Sequence, residues 1–300
     1  MSGNTSKARD APLEGGGPVV ERPVETSIEG GGGVRSVRRA LDLLFLLSDA
    51  RPVLSLSECA RATGLPKTTT LRLLETLESA GVLWGQDGHY VPGPALLQWS
   101  RIASDAWMLP PNVQEIIDEA AAQTGETVNV YVRRGLQRVC IAHAQGSQSL
   151  RHVVQVGDQL PLWAGASAKI LLAEEPDDDP DTDTPGLLLR VALTSPQGVA
   201  HLRTLIEWVR MARRQGWATS HAERDDLVAA VSVPIDCSSV GGVITALSVS
   251  GPTNRFPEER IPELINAMTT TASLIARRNS IGSGSATLGI ARLISSKGTN

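Results

Sequence analysis

The segment SLSECARATGLPKTTTLR, Ser55 to Arg72, decides the fold of the first part of this chain, together with LLETLESAGVLWGQDGHYV directly after it. Ser55 can cap a helix, and Glu58 follows at the spacing that a capping box requires. Gly64 then ends this helix, and Pro66 opens the next one, where its missing N–H costs nothing. The segment therefore predicts two short helices around a tight turn.

The second predicted helix has two different faces. Helical spacing gives an apolar face made of Thr70, Leu73, Leu74 and Leu77. The opposite face carries hydroxyl and cationic side chains, which can reach phosphates and base edges, and a leucine, which can contact a thymine methyl group. We therefore predict DNA contacts from Lys67, Thr68, Thr69, Leu71 and Arg72.

A β-hairpin is predicted directly after the second helix. Two strand-like runs, VLW and HYV, flank Asp87-Gly88, and Asp-Gly is a strong hairpin signal. Two helices followed by such a hairpin, or wing, are typical of a winged helix-turn-helix. The predicted DNA contacts therefore also include Ser55, at the start of the first helix of the pair, and His89, on the wing. An ordinary helical hairpin with a solvated polar face is the alternative that this pattern leaves open.

The chain resembles the IclR family of bacterial transcription regulators. The DNA-binding half of that family is similar to VRSVRRALDLLFLLSDA, the helix-turn-helix segment and GHYVPGPALLQWSRIA. Its ligand-binding half is similar to TGETVNVYV, VGDQLPLWAGASAKILLA and ALSVSGPTNRFPEER. The resemblance runs from about Val34 to about Asn279, with the segments in the family's order. It implies an α/β multidomain protein with an N-terminal winged helix-turn-helix, a linker helix and a C-terminal GAF-like α/β effector-binding domain with an antiparallel sheet.

Length and composition are compatible with such a protein. A chain of 300 residues with 41% hydrophobic residues can form two modest cores. Its sequence contains neither an apolar run of transmembrane length nor the pattern of a signal peptide. The three cysteines are widely separated and lack a C-x-x-C motif, which favours reduced thiols. We therefore expect a cytoplasmic protein that does not bind a membrane.

Charge is distributed unevenly along the chain. The net charge is −4, but residues 34–101 contain eight Lys or Arg against six Asp or Glu. That segment is therefore +2 and the remainder −6, so positive charge is concentrated where DNA would bind. Arg35, Arg38 and Arg39 are expected to hold phosphates near the first helix of the chain. The bias is small, and charge alone does not establish DNA binding.

Composition and pattern divide the chain into parts. Residues 1–33 are Gly-rich and too polar to bury a core, so we expect a disordered arm. Residues 34–92 are predicted to form the winged domain, and residues 93–109 a linker helix whose apolar surface a second subunit would cover. Residues 110–280 follow as the effector-binding domain, and residues 281–300 as a flexible tail. In the first helix of the winged domain, the expected buried stripe comprises Val37, Leu41, Leu44 and Leu47.

The predicted effector-binding domain alternates helices and strands around a polar run. The run EEPDDDPDTDTP, residues 174–185, is expected to be a solvated loop, because it lacks the glycine and the terminal glutamate of a calcium-binding EF-hand loop. Helices are predicted at residues 113–123, 164–173, 199–215 and 262–278. Strands are predicted at residues 127–133, 138–144, 150–156, 217–220, 229–235 and 243–250.

The family resemblance implies a small-molecule pocket closed by the LPLWAGASAK loop. Small residues there, including Ala166 and Ser167, let a ligand approach the backbone, and amides at the start of a helix favour an anion. The family also places inward hydroxyls on a strand that reads ALSVSG here, which correspond to Ser248 and Ser250. Alternation puts both serines on one face of that strand. Hydrogen-bonded core serines remain the alternative interpretation.

Two departures from the family pattern bear on the ligand. Ser220 and Ala230 stand where relatives with small-acid effectors tend to show Asp and Cys, so the polar anchor has changed. Trp163 stands where His is common, which suggests a larger apolar wall. We therefore expect an organic acid that is more apolar or aromatic than a two- or three-carbon acid.

An enzyme or a metal site is not indicated by the sequence. Cys140 and His143 fall on opposite faces of one predicted strand, which is poor geometry for a nucleophile and its base. His152, His201 and His221 have no partner at metal-ligand spacing. We therefore predict no catalytic residues, no metal and no cofactor. A second domain that serves only for oligomerisation or protein docking, without a ligand, is the alternative kept open.

The resulting expectation is a regulator whose operator binding responds to a small molecule. Homodimers, or tetramers as in the family, would place two recognition helices in successive major grooves about 34 Å apart on palindromic double-stranded DNA. Ligand binding in the second domain would change the spacing of the two winged domains through the linker helix.

Overall fold

Residues 34–148, 154–174, 186–236 and 243–281 are described by the computed structural model of the chain. The structure divides into two units, with the boundary between Leu96 and Leu97. The predicted N-terminal arm, nearly all of the predicted C-terminal tail and of the acidic loop, His152 and Cys237 lie outside the described residues.

The first unit contains the predicted helix-turn-helix and wing. Its capping box forms as expected: the Glu58 amide donates to Ser55 Oγ at 3.3 Å, and the Ser55 amide donates to Glu58 Oε2 at 2.8 Å. Gly64 ends the first helix of the pair in the left-handed conformation. The helices are α1 (Arg35–Leu44), α2 (Leu56–Thr63) and α3 (Lys67–Ser79), and the strands are β1 (Leu54–Ser55), β2 (Leu83–Gln86) and β3 (His89–Pro92), in the sheet order β1-β3-β2.

The wing turns at Asp87-Gly88, as predicted. Gln86 pairs with His89, so the loop between β2 and β3 has two residues. Both have positive φ, 51° at Asp87 and 75° at Gly88, which is the type I′ turn that matches the twist of a hairpin. In β2, the Gly85 amide donates to Glu78 Oε1 at 3.2 Å, and this hydrogen bond links the hairpin to α3.

The core of the first unit corrects one prediction about α1. Val37 and Leu41 were expected to be buried, but their exposed fractions are 56% and 45%. The helix instead buries Leu43, which packs with core residues of the other helices and the sheet, and Leu44 and Leu47 are half-buried. Helical spacing places Val37 and Leu41 together, but α1 turns this face away from the core.

The predicted linker helix is α4 (Ala95–Trp107), which crosses the boundary between the two units. Its apolar side chains are largely uncovered, with exposed fractions of 76% for Leu97 and 63% for Trp99. Ile102 is also exposed. This helix therefore leaves an apolar face exposed in the single chain.

The second unit is an α/β domain with an antiparallel sheet, as predicted. Among its described residues, the helices are α5 (Pro111–Thr124), α6 (Ala166–Ala173), α7 (Leu187–Leu193), α8 (Leu202–Gln215) and α9 (Ile261–Ile281). The strands are β4 (Thr127–Arg134), β5 (Gln137–Ala144), β6 (Gln159–Pro161), β7 (Ala218–His221), β8 (Val228–Ile235) and β9 (Thr245–Pro252). They pair in the order β6-β5-β4-β9-β8-β7.

Helices cover both faces of this sheet. On one face, α5 and α9 pack against alternate residues of β4, β8 and β9, including Val130 and Leu247. On the other face, α6, α7 and α8 pack against Tyr131, Cys140 and Ala246. The alternation of a strand therefore sends Ser248 and Ser250 to the α6 face, because Leu247 and Val249 point to the α9 face.

Two regions of the second unit, the one before and at β6 and the one at α7, differ from the prediction. The predicted strand at residues 150–156 is wrong in its described part, because the Gln155 amide donates to Asp158 Oδ2 at 2.7 Å and makes a turn there. The edge strand β6 comes after this turn. The short helix α7 was not predicted.

A buried carboxylate links β4 to the segment before α9. Glu126 is 1% exposed as a side chain and accepts two hydrogen bonds from Arg255, both at 2.7 Å. Arg260 lies 3.2 Å from the same carboxylate and donates to the Thr124 carbonyl at 2.6 Å. The bidentate pair raises the pKa of Arg255. This network fixes the connection from β9 to α9 against the start of β4.

Candidate nucleic-acid interface and candidate ligand cavity

The first turns of α3 carry the predicted DNA-contacting residues at the surface. Lys67, Thr68 and Arg72 are exposed, and Thr69 and Leu71 are half-buried. Thr70, predicted for the buried face, is fully buried and donates its hydroxyl to the Pro66 carbonyl at 3.1 Å. The N-cap residue of α3, Pro66, makes no side-chain cap hydrogen bond, so the orphan amides of the first turn lack the cap that α2 has.

The remaining predicted DNA contacts lie around α3. Arg35 is exposed at the start of α1, and Arg38 and Arg39 are half-buried in the next turn. His89 is exposed on the wing, with Nδ1 3.1 Å from the Asp87 carbonyl. The Ser55 hydroxyl is already engaged in the capping box, with Oγ 2.7 Å from Glu58 Oε2. Ser55 therefore positions α2 in the structure whether or not it also contacts DNA.

The second unit contains a cavity of about 50 Å³ between α6 and the sheet. Residues from β4, β5, β6, β7, β8 and β9 contribute to its wall, together with the start of α6 and the loop after β7. Its lining residues are Tyr131, Arg138, Leu160, Gly165, Ala166, Ser167, Ser220, Glu223, Arg224, Asp225, Val228, Ala230, Ser248 and Ser250.

Most of the predicted effector-binding residues meet in this cavity. They are Ala166, Ser167, Ser220, Ala230, Ser248 and Ser250. The two β9 serines are also hydrogen-bonded: Ser248 Oγ donates to the Val231 carbonyl at 3.2 Å, and Ser250 Oγ accepts from Asn129 Nδ2 at 3.4 Å. The geometry therefore agrees with both interpretations of these serines, as pocket residues and as hydrogen-bonded core residues.

Trp163 is not among the lining residues, contrary to the sequence expectation. Its indole is buried next to His201 in an edge-on arrangement with ring centroids 6.3 Å apart, and its carbonyl lies 2.7 Å from His201 Nε2. His201 in turn lies edge-on to Trp208 of α8. Trp163 therefore packs toward α8, and the apolar wall that it was expected to supply is missing.

Glu223 accepts a hydrogen bond from the amide at the start of α6. Its Oε2 accepts from the Gly165 amide at 2.9 Å, and its Oε1 lies 2.5 Å from Nζ of the buried Lys169. Lys169 also donates to the Thr219 carbonyl at 2.8 Å and lies 4.0 Å from the centroid of the Trp208 ring. Burial lowers the pKa of Lys169, and Glu223 opposes this shift. A protein carboxylate thus already contacts both the Gly165 amide and the Lys169 cation.

Arg138 also lines the cavity and is 5% exposed. Its Nη1 donates to the carbonyls of Pro161 and Ala164, and its guanidinium carbon lies 5.6 Å from the centroid of the Tyr131 ring. Burial lowers the pKa of Arg138 to about 10, which still leaves it charged at neutral pH. Gly165 has φ +101°, and a Cβ there would lie 2.7 Å from Arg138 Nη2.

Sequence reasoning missed the charged residues of the cavity. Arg138 gave one usable signal, because it is a charged residue within an otherwise apolar inward row of a strand. Glu223, Arg224 and Asp225 belong to a polar run after β7 that reads as a solvated loop, so no local signal distinguishes them. Within the part of the chain that the structure describes, no cluster of His, Cys, Asp or Glu could hold a metal ion. No described helix is both long and apolar enough to cross a membrane.

Comparison with known proteins assigns both units. Residues 36–84 match the model of the IclR helix-turn-helix domain, and residues 109–277 match the model of the bacterial transcriptional regulator IclR C-terminal domain. The HTH-type transcriptional regulator KipR of Bacillus subtilis is 26% identical over 249 residues, which cover 81% of this chain and 96% of KipR.

Solved structures agree with this assignment. A putative IclR-family transcriptional regulator from Rhodococcus sp. is 39% identical, with a TM-score of 0.52, over 86% of this chain and 96% of its own. An IclR homologue from Microbacterium hydrocarbonoxydans, complexed with 4-hydroxybenzoate, has a TM-score of 0.57 over 79% of this chain and 98% of its own. The latter is 19% identical and therefore shares the fold alone. The named relatives are transcriptional regulators rather than enzymes.

Proposed function

The chain belongs to the IclR family of bacterial transcriptional regulators and is a DNA-binding regulator, and we propose that α3 reads its operator while a small organic acid in the second unit modulates binding. The observation that carries the first part is the exposed first half of α3, where Lys67, Thr68 and Arg72 stand beside uncapped helix amides. Cations, hydroxyls and free amides are the groups that bind phosphates and base edges. Such a protein acts in the cytoplasm.

A homodimer is the proposed DNA-binding species. Apolar side chains of α1 and α4 are uncovered in the single chain, including Val37 and Leu41 on one helix and Leu97 and Trp99 on the other. A second subunit would bury these faces and place two copies of α3 on a palindromic operator, with half-sites about 34 Å apart. A tetramer would require a further interface in the second unit.

The cavity of the second unit is the proposed effector site. It brings together six residues that the family resemblance assigned to the ligand, and charged groups also line it. A short-chain acid and an aromatic acid are the two ligand classes to compare, because one of the two reasons to expect an aromatic acid, Trp163, lies outside the cavity. The alternative of a ligand-independent second domain is favoured by a specific observation, since Glu223 already occupies the Gly165 amide.

Operator binding is tested with Arg72→Ala in a gel-shift assay at fixed salt on DNA from the region upstream of this gene. Removing an arginine that contacts a base or phosphate is expected to weaken binding by about 1–3 kcal/mol, or roughly 5- to 150-fold. Arg190→Ala is the matched control, since Arg190 is exposed on α7 of the second unit. Unchanged DNA affinity of a folded Arg72→Ala protein would remove α3 from the proposed interface.

A further inference from the structure

We propose that the outward face of α8 is a two-fold symmetric interface, at which the second unit binds the second unit of another copy of this chain. The interface lies within the second unit and does not depend on the proposed effector. It rests on the proposed homodimer only for the number of subunits, because two different two-fold interfaces in one chain give a tetramer.

A groove of about 450 Å³ follows the outward face of α8. It begins at the short 3-10 helix Gly198–His201, directly before α8. Val199 is 58% exposed in this groove, and Leu202 and Ile206 are half-buried. The lining residues are Val199, Ala200, Leu202, Arg203, Ile206, Glu207 and Arg210. The other face of α8 is already buried in the core of the second unit, so the groove is the part of this helix that remains for a partner.

The groove residues form one stripe along the helix. Val199, Arg203, Ile206 and Arg210 succeed one another in steps of three or four residues, which is the spacing of a single helix face. Glu207 lies beside this stripe, one turn after Arg203. Apolar and charged side chains therefore alternate over three turns of one surface.

The stripe carries both signs of charge in a self-complementary arrangement. Arg203 and Glu207 are exposed, and neither forms a hydrogen bond or an ion pair with any part of the described chain. In an antiparallel pair of α8 helices with a two-fold axis at the level of Leu205, Arg203 of each copy lies opposite the partner's Glu207. Such an interface pairs each charge with the opposite charge twice, as a surface that binds its own copy requires.

The same register also matches the apolar side chains. Ile206 is one residue, or about 1.5 Å, from the level of the axis, so it would pack against the partner's Ile206. Val199 and Ala200 would lie opposite the partner's Arg210, whose aliphatic stem can cover apolar surface while its guanidinium stays in water. One register thus accounts for the charged and the apolar residues together. A second copy of this chain is therefore the proposed occupant, rather than a different protein.

The expected interface is small and its association reversible. One helix from each subunit presents less surface than the roughly 800 Å² per partner of a standard interface. We therefore expect dimers and tetramers in an equilibrium that depends on protein concentration. Dimers bound at neighbouring operators would associate more readily, because the DNA raises their effective concentration.

The test exchanges the two charges of the stripe in the full-length protein. Arg203→Glu and Glu207→Arg each place like charges opposite one another at two symmetric positions. Each should weaken the association of dimers on the order of 10- to 100-fold, as measured by sedimentation equilibrium over a concentration series. The double variant Arg203→Glu/Glu207→Arg restores both opposite-charge pairs and should recover the association of the wild type.

A matched control reverses a charge elsewhere on the second unit. Glu115 is exposed on α5, which covers the opposite face of the sheet, so Glu115→Arg should leave the association unchanged. Circular dichroism checks the folding of each variant. Because the double variant contains both substitutions, its recovery would also show that neither of them acts by unfolding α8.

A cross-link tests the symmetry of the interface directly. In a Cys237→Ser background, Ile206→Cys introduces an accessible thiol close to the proposed axis, while Cys59 and Cys140 are fully buried. Mild oxidation should then join two chains through the new thiols, and arginine reversal at Glu207 should reduce the yield. Glu115→Cys in the same background is the control and should stay largely uncross-linked.

The outcomes separate this inference from the proposed homodimer. A wild type that sediments as a dimer, with Arg203→Glu as a monomer, would support the α8 interface and contradict the dimer through the first unit. Unchanged sedimentation of both single variants would overturn the inference and leave that dimer standing. Weakened single variants without recovery in the double variant would overturn the two-fold pairing of Arg203 with Glu207, and with it the inference.

Discussion

The two units present their charged side chains in opposite surroundings. In the first unit, Lys67 and Arg72 extend from α3 into solvent, whereas in the second unit Arg138 and Lys169 are enclosed between a helix and a sheet. An exposed cation loses little hydration on folding, and its interactions with other charges are screened by salt. Such a cation therefore contributes mainly to binding a polyanion. A buried cation loses its hydration, which costs free energy, and it interacts strongly with the groups in direct contact with it.

The difference teaches that the same residue type performs two tasks in one chain. In the proposed function, exposed arginines of the first unit contribute to affinity for DNA, and they contribute little to the stability of the fold. Buried charges of the second unit contribute to stability and, in the proposed function, to selection of what enters the cavity. Stability measurements and DNA-binding measurements should therefore respond to different substitutions.

The largest expected effect comes from the buried network of the second unit. Glu126→Gln leaves Arg255 and Arg260 without their carboxylate and should lower the free energy of unfolding by about 3–5 kcal/mol. Urea denaturation measures this change. Glu259→Gln is the control, because Glu259 is exposed beside the network. Equal stability of the two variants would contradict the distinction between enclosed and exposed charges.

The next effect compares two glycines with positive φ, one in each unit. Gly165→Ala should cost about 2–3 kcal/mol, since φ +101° with ψ 148° suits glycine almost alone and the new Cβ would press on Arg138. Gly88→Ala on the wing should cost only about 1 kcal/mol, because its surroundings are open. Thermal unfolding of both variants measures the difference. A larger loss of stability for Gly88→Ala would show that the backbone conformation matters more than the space around the new Cβ.

The smallest effect concerns the capping box of α2. Ser55→Ala should cost about 1 kcal/mol at pH 7, whereas Ser57→Ala, at an exposed position in the same turn, should change little. Hydrogen bonds from Ser55 hold the pKa of Glu58 below its ordinary value. The carboxylate therefore stabilises α2 above that ordinary value, and the contribution is lost as the pH falls through the lowered pKa.

A pH series checks this sign. The difference in urea midpoint between the wild type and Ser55→Ala should shrink as the pH is lowered from 7 to about 3.5. A difference that stays constant over this range would mean that the cap works through the Ser55 hydroxyl alone.

The sequence predicted most of the first unit because its determinants are local. The contacts of Ser55 with Glu58, the left-handed Gly64 and the Asp87-Gly88 turn each involve residues close together in the chain. The burial of α1 was predicted less well. Spacing defines an apolar stripe, but it does not say whether the chain's own core or a second chain covers that stripe.

The candidate site of the second unit was predicted only in part, because its determinants are not local. Its residues come from positions as far apart as Tyr131 and Ser250, so tertiary packing decides which of them meet. Family resemblance supplied the small residues and the serines. The contact between Glu223 and the Gly165 amide depends on the path of a loop 58 residues away in sequence, which no local pattern encodes.

The two described cysteines have a practical consequence for separating the units experimentally. Cys59 lies in the core of the first unit and Cys140 in that of the second, and both are fully buried. Burial raises the pKa of Cys59 and raises that of Cys140 to about 12, so neither thiol reacts until its surroundings open. In a Cys237→Ser background, the alkylation rates of the two thiols would therefore report the opening of each unit separately. Measuring these rates with and without DNA or a small organic acid would show which unit each of them stabilises.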